Sequence, residues 1–180
     1  MNIPTLFSTD ERIKLLRCIV YKTGYLNVNK VANELKLSKG LASKFFEILV
    51  KEKILKRAGN NFLVQENINT AAIRLLLNLN EFDAKIFNKY AFVKSAGLYG
   101  SFAKGKNTEE SDIDLWIIVE EAGEEKLAKL TNELKRRYKT IKPLYLTKEK
   151  LEILKKEDSV FYYSLFFGSI TVFGEEIETI

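Results

Sequence analysis

AGLYGSFAKGKNTEESDIDLWIIV, residues 96–119, decides how this chain is read. Gly97 to Tyr99 can end a short strand, and Gly100-Ser101 makes a turn that opens a helix. After ten intervening residues, Asp112-Ile113-Asp114 runs straight into the apolar strand Leu115 to Val119. Carboxylates at i and i+2 of a strand point to the same face, with α-carbons ~6.5 to 7 Å apart. Their oxygens can converge on one hard cation, and Mg2+ accepts carboxylate oxygens together with substrate phosphates. The small turn brings backbone N–H groups and the Ser101 hydroxyl close to a phosphate, aided by the helix N-terminus that follows. Lys104 and Lys106 are nearby cations able to balance triphosphate charge. The plainer alternative makes Asp112 a turn cap and Asp114 a charge at a strand edge. Against it, a strand reading Leu-Trp-Ile-Ile-Val is buried on both faces. Two carboxylates side by side at its mouth repel unless a cation sits between them.

Gly100-Ser101, ten residues, then Asp112-x-Asp114 resembles the nucleotidyltransferase superfamily with the DNA polymerase β-type fold, and above all its minimal nucleotidyltransferases. The resemblance extends from about residue 91 to the C-terminus. It takes in the amphipathic helix Glu124 to Tyr138, the strand Ile141 to Leu146 and the closing SLFFGSITVFGEEI. It implies an α/β (α+β) domain with a mixed sheet flanked by helices. It also implies that Gly100, Ser101 and Lys104 hold the phosphates of ATP or another NTP, while Asp112 and Asp114 are the catalytic pair that binds Mg2+ during nucleotidyl transfer.

One departure stands out. The family usually places a third carboxylate on the later strand, which here reads Thr140-Ile141-Lys142-Pro143-Leu144-Tyr145-Leu146-Thr147. Lys142 or Pro143 stands where the acid is expected, and an ammonium there can pair with Asp112 or Asp114 and compete with the metal. Glu109, Glu110 and Glu149 are the candidate substitutes. The minimal branch includes antitoxins paired with HEPN-type ribonuclease toxins. The resemblance therefore also implies an alternative: a non-catalytic transcriptional regulator or antitoxin-like partner built on a degenerate copy of the same fold.

Upstream, the pattern is helical and basic. Residues 1–66 hold 12 Lys and Arg against 6 Asp and Glu, net +6, whereas the remainder holds 17 against 18. Ser8 followed by Glu11 forms a capping box, so a helix is expected from about Thr9. Ile13, Leu16, Ile19 and Val20 then recur at helical spacing. A second helix fits Val28 to Leu35. Ser38 can cap a third carrying Leu41, Phe45, Ile48 and Leu49 inward. Two strands follow around Ile54 to Arg57 and Phe62 to Gln65, joined by Gly59-Asn60-Asn61.

VANELKLSKGLASKFFEILVKEKILKRAGNNFLV resembles the winged helix-turn-helix family, with Ala32, Leu35, Leu37, Ser38, Leu41 and Ser43 at its helix-pair positions. The resemblance implies a DNA-binding domain over residues 1–66. The third helix would enter the major groove and the hairpin would touch the backbone. Lys39, Ser43 and Lys44 would face DNA, with Lys56 and Arg57 flanking the wing. Lysines supply phosphate contacts, which give affinity without sequence choice. No Arg, Asn or Gln on that face offers a bidentate base contact, so specificity is expected to be modest. Winged helices also serve as protein-interaction or dimerisation modules, which is the rival reading of this third.

Residues 67–90 are expected to form a connecting helical segment. Its stretch 70–90 lacks proline and glycine, and Ile73, Leu75, Leu76, Leu77 and Leu79 spread apolar groups around most of the circumference. That leaves residues 91–180 for the nucleotidyltransferase-like domain. The aromatic end (Phe161, Tyr162, Tyr163, Phe166, Phe167, Phe173) reads as core or subunit interface rather than as a base-stacking surface.

Composition closes off several chemistries. With no histidine and one cysteine, Cys18, there is no imidazole base for Ser-His-Asp or Cys-His catalysis, no intramolecular disulfide and no zinc site of the usual ligands. The opening MNIPTLFSTDERIK has no basic region leading into an apolar one, and no apolar run approaches the ~20 residues that span a bilayer. A cytoplasmic protein is expected. Its partners would be DNA, a nucleotide, and a protein partner or second copy, with no membrane.

Overall fold

A threonine, not the serine before it, opens the first long helix of the computed structural model, which describes residues 1–175. Thr9 is extended (φ −143°, ψ 157°), and its hydroxyl accepts the Arg12 N–H at 3.4 Å, so the helix runs Asp10–Ile19. The Ser8–Glu11 capping box is thus not made. Ser8 stands one residue too early to reach the third turn N–H, and its hydroxyl accepts from the Arg12 guanidinium instead. Asp10 and Glu11 sit in the first turn, where the helix dipole favours acids.

The chain divides into two units, one comprising residues 1–77 and 107–110, the other 78–106 and 111 onward. In the first, α1 (Ile3–Leu6) and α2 (Asp10–Ile19) precede α3 (Val28–Glu34), α4 (Lys39–Lys51) and a hairpin of β1 (Leu55–Ala58) with β2 (Asn61–Val64). Ala58 pairs with Asn61, so the hairpin turns on two residues, with Gly59 at φ +61°. Leu26 adds a bridge to Phe62. Ser38 caps α4 as its sequence suggests, its hydroxyl accepting the Leu41 N–H at 3.2 Å.

Inside this unit the buried set is Leu15, Leu16 and Ile19 from α2, Val31 and Ala32 from α3, and Phe45, Phe46 and Leu49 from α4, with Ile54, Leu55 and Phe62 from the hairpin region. The anticipated Ile13, Leu41 and Ile48 are only partly covered, while Leu15 and Phe46 are fully buried. For Phe46 the shift has a physical source: α4 is covered on a second side by the hairpin, where Phe46 meets Phe62 edge-to-face at 5.0 Å. Helix α5 (Ile68–Glu81) adds Ile73 and Leu77 to this core, and the boundary between units falls within it, after Leu77. Its Arg74 is fully buried. The Nε donates to the Val20 carbonyl at 2.7 Å, and both terminal nitrogens donate to the Glu66 carboxylate at 2.7 Å.

The second unit is a four-stranded mixed sheet with helices. A 3-10 turn (Ala84–Lys89) leads into β3 (Val93–Tyr99), then the one-turn helix α6 (Gly100–Ala103), β4 (Ile113–Val119), α7 (Glu124–Arg137) and β5 (Ile141–Leu146). Helices α8 (Lys148–Glu157) and α9 (Ser159–Gly168) and the strand β6 (Ile170–Gly174) complete it. Sheet order is β5-β4-β3-β6. Only β4 and β5 run parallel, and α7 is the crossover that a parallel pair requires. From β4, Leu115, Ile117 and Val119 join the core that contains Leu130 and Leu134 of α7. Trp116 and Ile118 point to the opposite face, toward Leu151 of α8 and Leu165 of α9. β4 is therefore covered on both sides, as its apolar run anticipates.

Glycine matters at the strand crossing Trp116. Gly97 lies opposite it in β3, and a β-carbon at that position would sit 2.3 Å from the indole ring. The indole is fully buried as a result. Its Nε1 is the one buried side-chain N or O without a hydrogen-bond partner among the described residues.

Candidate functional site

Asp114 stands second in β4, and Tyr99, the last residue of β3, is its partner across the antiparallel pair. Alternation along β4 puts Asp114 on the same face as Trp116 and Ile118. Tyr99 leans on that face too, edge-to-face with Phe161 of α9 at 6.2 Å. Directly after Tyr99 the chain turns through Gly100 at φ +68°, a backbone conformation that disfavours any β-carbon. A β-carbon on Gly100 would also fall 2.3 Å from Asp114 Oδ2. Glycine at position 100 is thus what lets the Asp114 carboxylate lie against the elbow.

Burial, and then the charge of Asp112, raise the Asp114 carboxyl above its ordinary value, with Lys142 pulling the other way. Tyr99 is raised as well, by burial and then by Asp114. A half-buried carboxylate that is uncomfortable beside a second carboxylate fits a divalent ion with oxygen ligands. Asp112 and Asp114 would hold it, and the Gly100-Ser101 elbow would face the phosphates.

Lys142 is the residue that β5 places in register with Asp114. Its Nζ lies 2.5 Å from Asp112 Oδ2, so of the two carboxylates it is Asp112 that takes the ammonium. That contact raises Lys142 above its ordinary value, through the hydrogen bond and charge of Asp112 and the charge of Asp114. The Lys142 side chain is nonetheless 66% exposed and that of Asp112 39%. An ion pair so open to water contributes only ~0 to 1 kcal/mol.

None of the candidate third acids joins the pair. Glu109 is bound to Lys22 at 2.6 Å within the first unit, and Glu149 sits in the first turn of α8. Among the described residues there is no group of three or more His, Cys, Asp or Glu able to hold a metal. The helix expected behind Ser101 is a single turn, so its dipole adds little to phosphate binding there. Lys104 is exposed, and its Nζ would lie 3.7 Å from a β-carbon on Gly168, at the end of α9.

In the first unit, Lys39, Ser43 and Lys44 are exposed on α4, and Lys56 is exposed on β1. Arg57 is exposed as well; it pairs with Glu47 at 2.5 Å and its guanidinium lies over the Phe62 ring at 5.3 Å. In the aromatic segment, Phe161 and Tyr162 pack against the core that contains Trp116, whereas Tyr163 and Phe167 are exposed. No helix among the described residues is long and apolar enough to cross a membrane.

Tyr99 and Trp116 with Gly97 were not foreseen as parts of this site. A signal for Tyr99 existed, since it directly precedes Gly100. Its place opposite Asp114 is a matter of cross-strand register, which spacing within one segment does not report.

A family model described as polymerase beta, nucleotidyltransferase, matches residues 84–178. No curated protein matches the chain. Among solved structures, the chain is similar to one in the crystal structure of a mutant of the toxin-antitoxin MntA-HpeT. That likeness has 15% identity and a TM-score of 0.38, over 52% of this chain and 71% of that one.

Proposed function

The chain belongs to the polymerase beta nucleotidyltransferase family, and from that premise we propose that its second unit binds an NTP with Mg2+ and transfers a nucleotidyl group to an acceptor hydroxyl. The observation that carries this reading is the close fit of the Asp114 carboxylate against the Gly100 elbow, with Asp112 beside it. Gly100 and Ser101 hold the triphosphate through backbone N–H groups and the Ser101 hydroxyl, and Lys104 balances its charge. Asp112 and Asp114 would hold the ion, which would supply charge neutralisation at the phosphoryl oxygens. In the transfer, the acceptor oxygen bonds to the α-phosphorus and the bond from that phosphorus to the bridging oxygen breaks. Pyrophosphate leaves with that electron pair, and the acceptor proton passes to solvent.

The first unit, on this proposal, is a winged helix-turn-helix that binds DNA. The exposed Lys39, Ser43 and Lys44 on α4, with Lys56 on the hairpin, make phosphate contacts. Arg57, flanking the hairpin, joins them by giving up its water-exposed pair with Glu47.

One observation favours a second reading, a non-catalytic regulator or antitoxin-like protein that uses this fold to bind a nucleotide or a protein. It is the Lys142 ammonium on Asp112, with no third acid beside the pair among the described residues. Incubation with ATP labelled at the α-phosphate and Mg2+ separates the two. Label on the chain or an added acceptor, abolished by Asp112→Asn and Asp114→Asn, supports transfer. Nucleotide binding without label for any NTP supports the regulator.

A further inference from the structure

We propose that the site takes a single divalent cation with its nucleotide, and that the Lys142 ammonium supplies the second positive charge against the triphosphate. This rests on the nucleotide-binding reading above and specifies its ion count. Two-metal phosphoryl-transfer sites hold their ions ~3.5 to 4 Å apart, so that two doubly charged ions must be balanced by carboxylates close by. Here the donor set is two carboxylates, Asp112 and Asp114, with no larger acidic cluster among the described residues. One of the two already carries an ammonium at 2.5 Å, on the side of β4 from which β5 approaches. With two carboxylates and no third acid beside them among the described residues, one divalent ion and the Lys142 ammonium already match the charge of the donor set, and a second divalent ion finds no further carboxylate to hold it.

The ammonium is also free to move. Its side chain is 66% exposed, so it leaves Asp112 at little cost once a cation takes the carboxylate. Four methylenes anchored at the register position of Asp114 then let it follow the charge to a phosphate oxygen next to the pair. Lys142 is thus a phosphate-positioning residue that changes partner on loading: Asp112 in the free protein, the triphosphate in the complex.

The test uses the full chain, Mn2+ and a non-hydrolysable ATP analogue, with bound Mn2+ counted by electron paramagnetic resonance. Wild type should bind one Mn2+ per chain, and Lys142→Asp should gain a second. Lys142→Gln should keep one Mn2+ and lose nucleotide affinity about tenfold with no change in melting temperature, and Lys142→Arg should restore that affinity. Two Mn2+ in wild type overturn the single-ion inference and leave the nucleotide site standing. Unchanged nucleotide affinity in Lys142→Gln, or one Mn2+ in Lys142→Asp, overturns the role of Lys142. No Mn2+ in wild type, or binding indifferent to Asp114→Asn, overturns the nucleotide-site reading itself.

Discussion

Alanine at position 100 meets two separate penalties, and each can be measured. The backbone there has φ +68°, where a β-carbon costs ~1 to 2 kcal/mol. The stiffer unfolded chain returns ~0.4 to 1 kcal/mol of that. The new β-carbon would also stand 2.3 Å from Asp114 Oδ2, so the carboxylate must retreat by about 1 Å to regain ordinary contact. A net loss of ~1 kcal/mol lowers the melting temperature by about 2 to 4 °C in a chain of this size. The retreat matters more for ligation, because Mg2+ demands near-ideal octahedral geometry at ~2.0 to 2.1 Å. Losing one such ligand should weaken Mn2+–nucleotide binding by tenfold or more, roughly 1.4 kcal/mol. Calorimetric melting and titration of Mn2+ with a non-hydrolysable nucleotide report the two effects. Gly24→Ala is the control, since a β-carbon there meets nothing within 4 Å and its φ is not positive. In an Asp114→Ala background, Gly100→Ala should cost only its backbone part. If Gly100→Ala melts and binds like wild type, the elbow is not pressed against Asp114 and the site is wrongly drawn.

Asp114→Asn should raise the melting temperature of the metal-free protein at pH 7 while abolishing Mn2+ binding. Because the folded-state value of Asp114 is raised, the stability it gives is fully present below its ordinary 3.8 and is lost as pH rises through the raised value. The gain from asparagine should therefore disappear by about pH 3, and a gain that is independent of pH would refute the cause. Glu66→Ala should destabilise the fold by about 3 kcal/mol in urea unfolding, although Glu66 is itself exposed, because it strands the fully buried Arg74 guanidinium. A loss below about 0.5 kcal/mol, usual for an exposed acid, would mean Arg74 finds water instead.

Much of the architecture was legible because it is written in local periodicities. The strand Ile141–Leu146 occupies the predicted residues, and the helix ending at Arg137 and the hairpin about Gly59 lie within a residue of prediction. Alternation and 3.6-residue spacing act over a few residues, so a single segment carries them. The Ser8 capping box failed because two adjacent hydroxyls compete for one helix start. Thr9 won by having the extended backbone that a cap needs. The burial of Phe46 was hidden for a different reason: it depends on a second element, the hairpin, whose Phe62 lies against it.

By itself the sequence determined the presence of two carboxylates at i and i+2 beside a Gly-Ser turn, and the absence of any imidazole. Those are matters of residue identity and spacing. Only the tertiary structure decided that Lys142 rather than Pro143 faces the pair, that its ammonium rests on Asp112, and that Gly100 makes room for Asp114. Each depends on the register of β3, β4 and β5, and strands far apart in the chain set that register jointly, through side chains that a one-residue slip would turn to the other face.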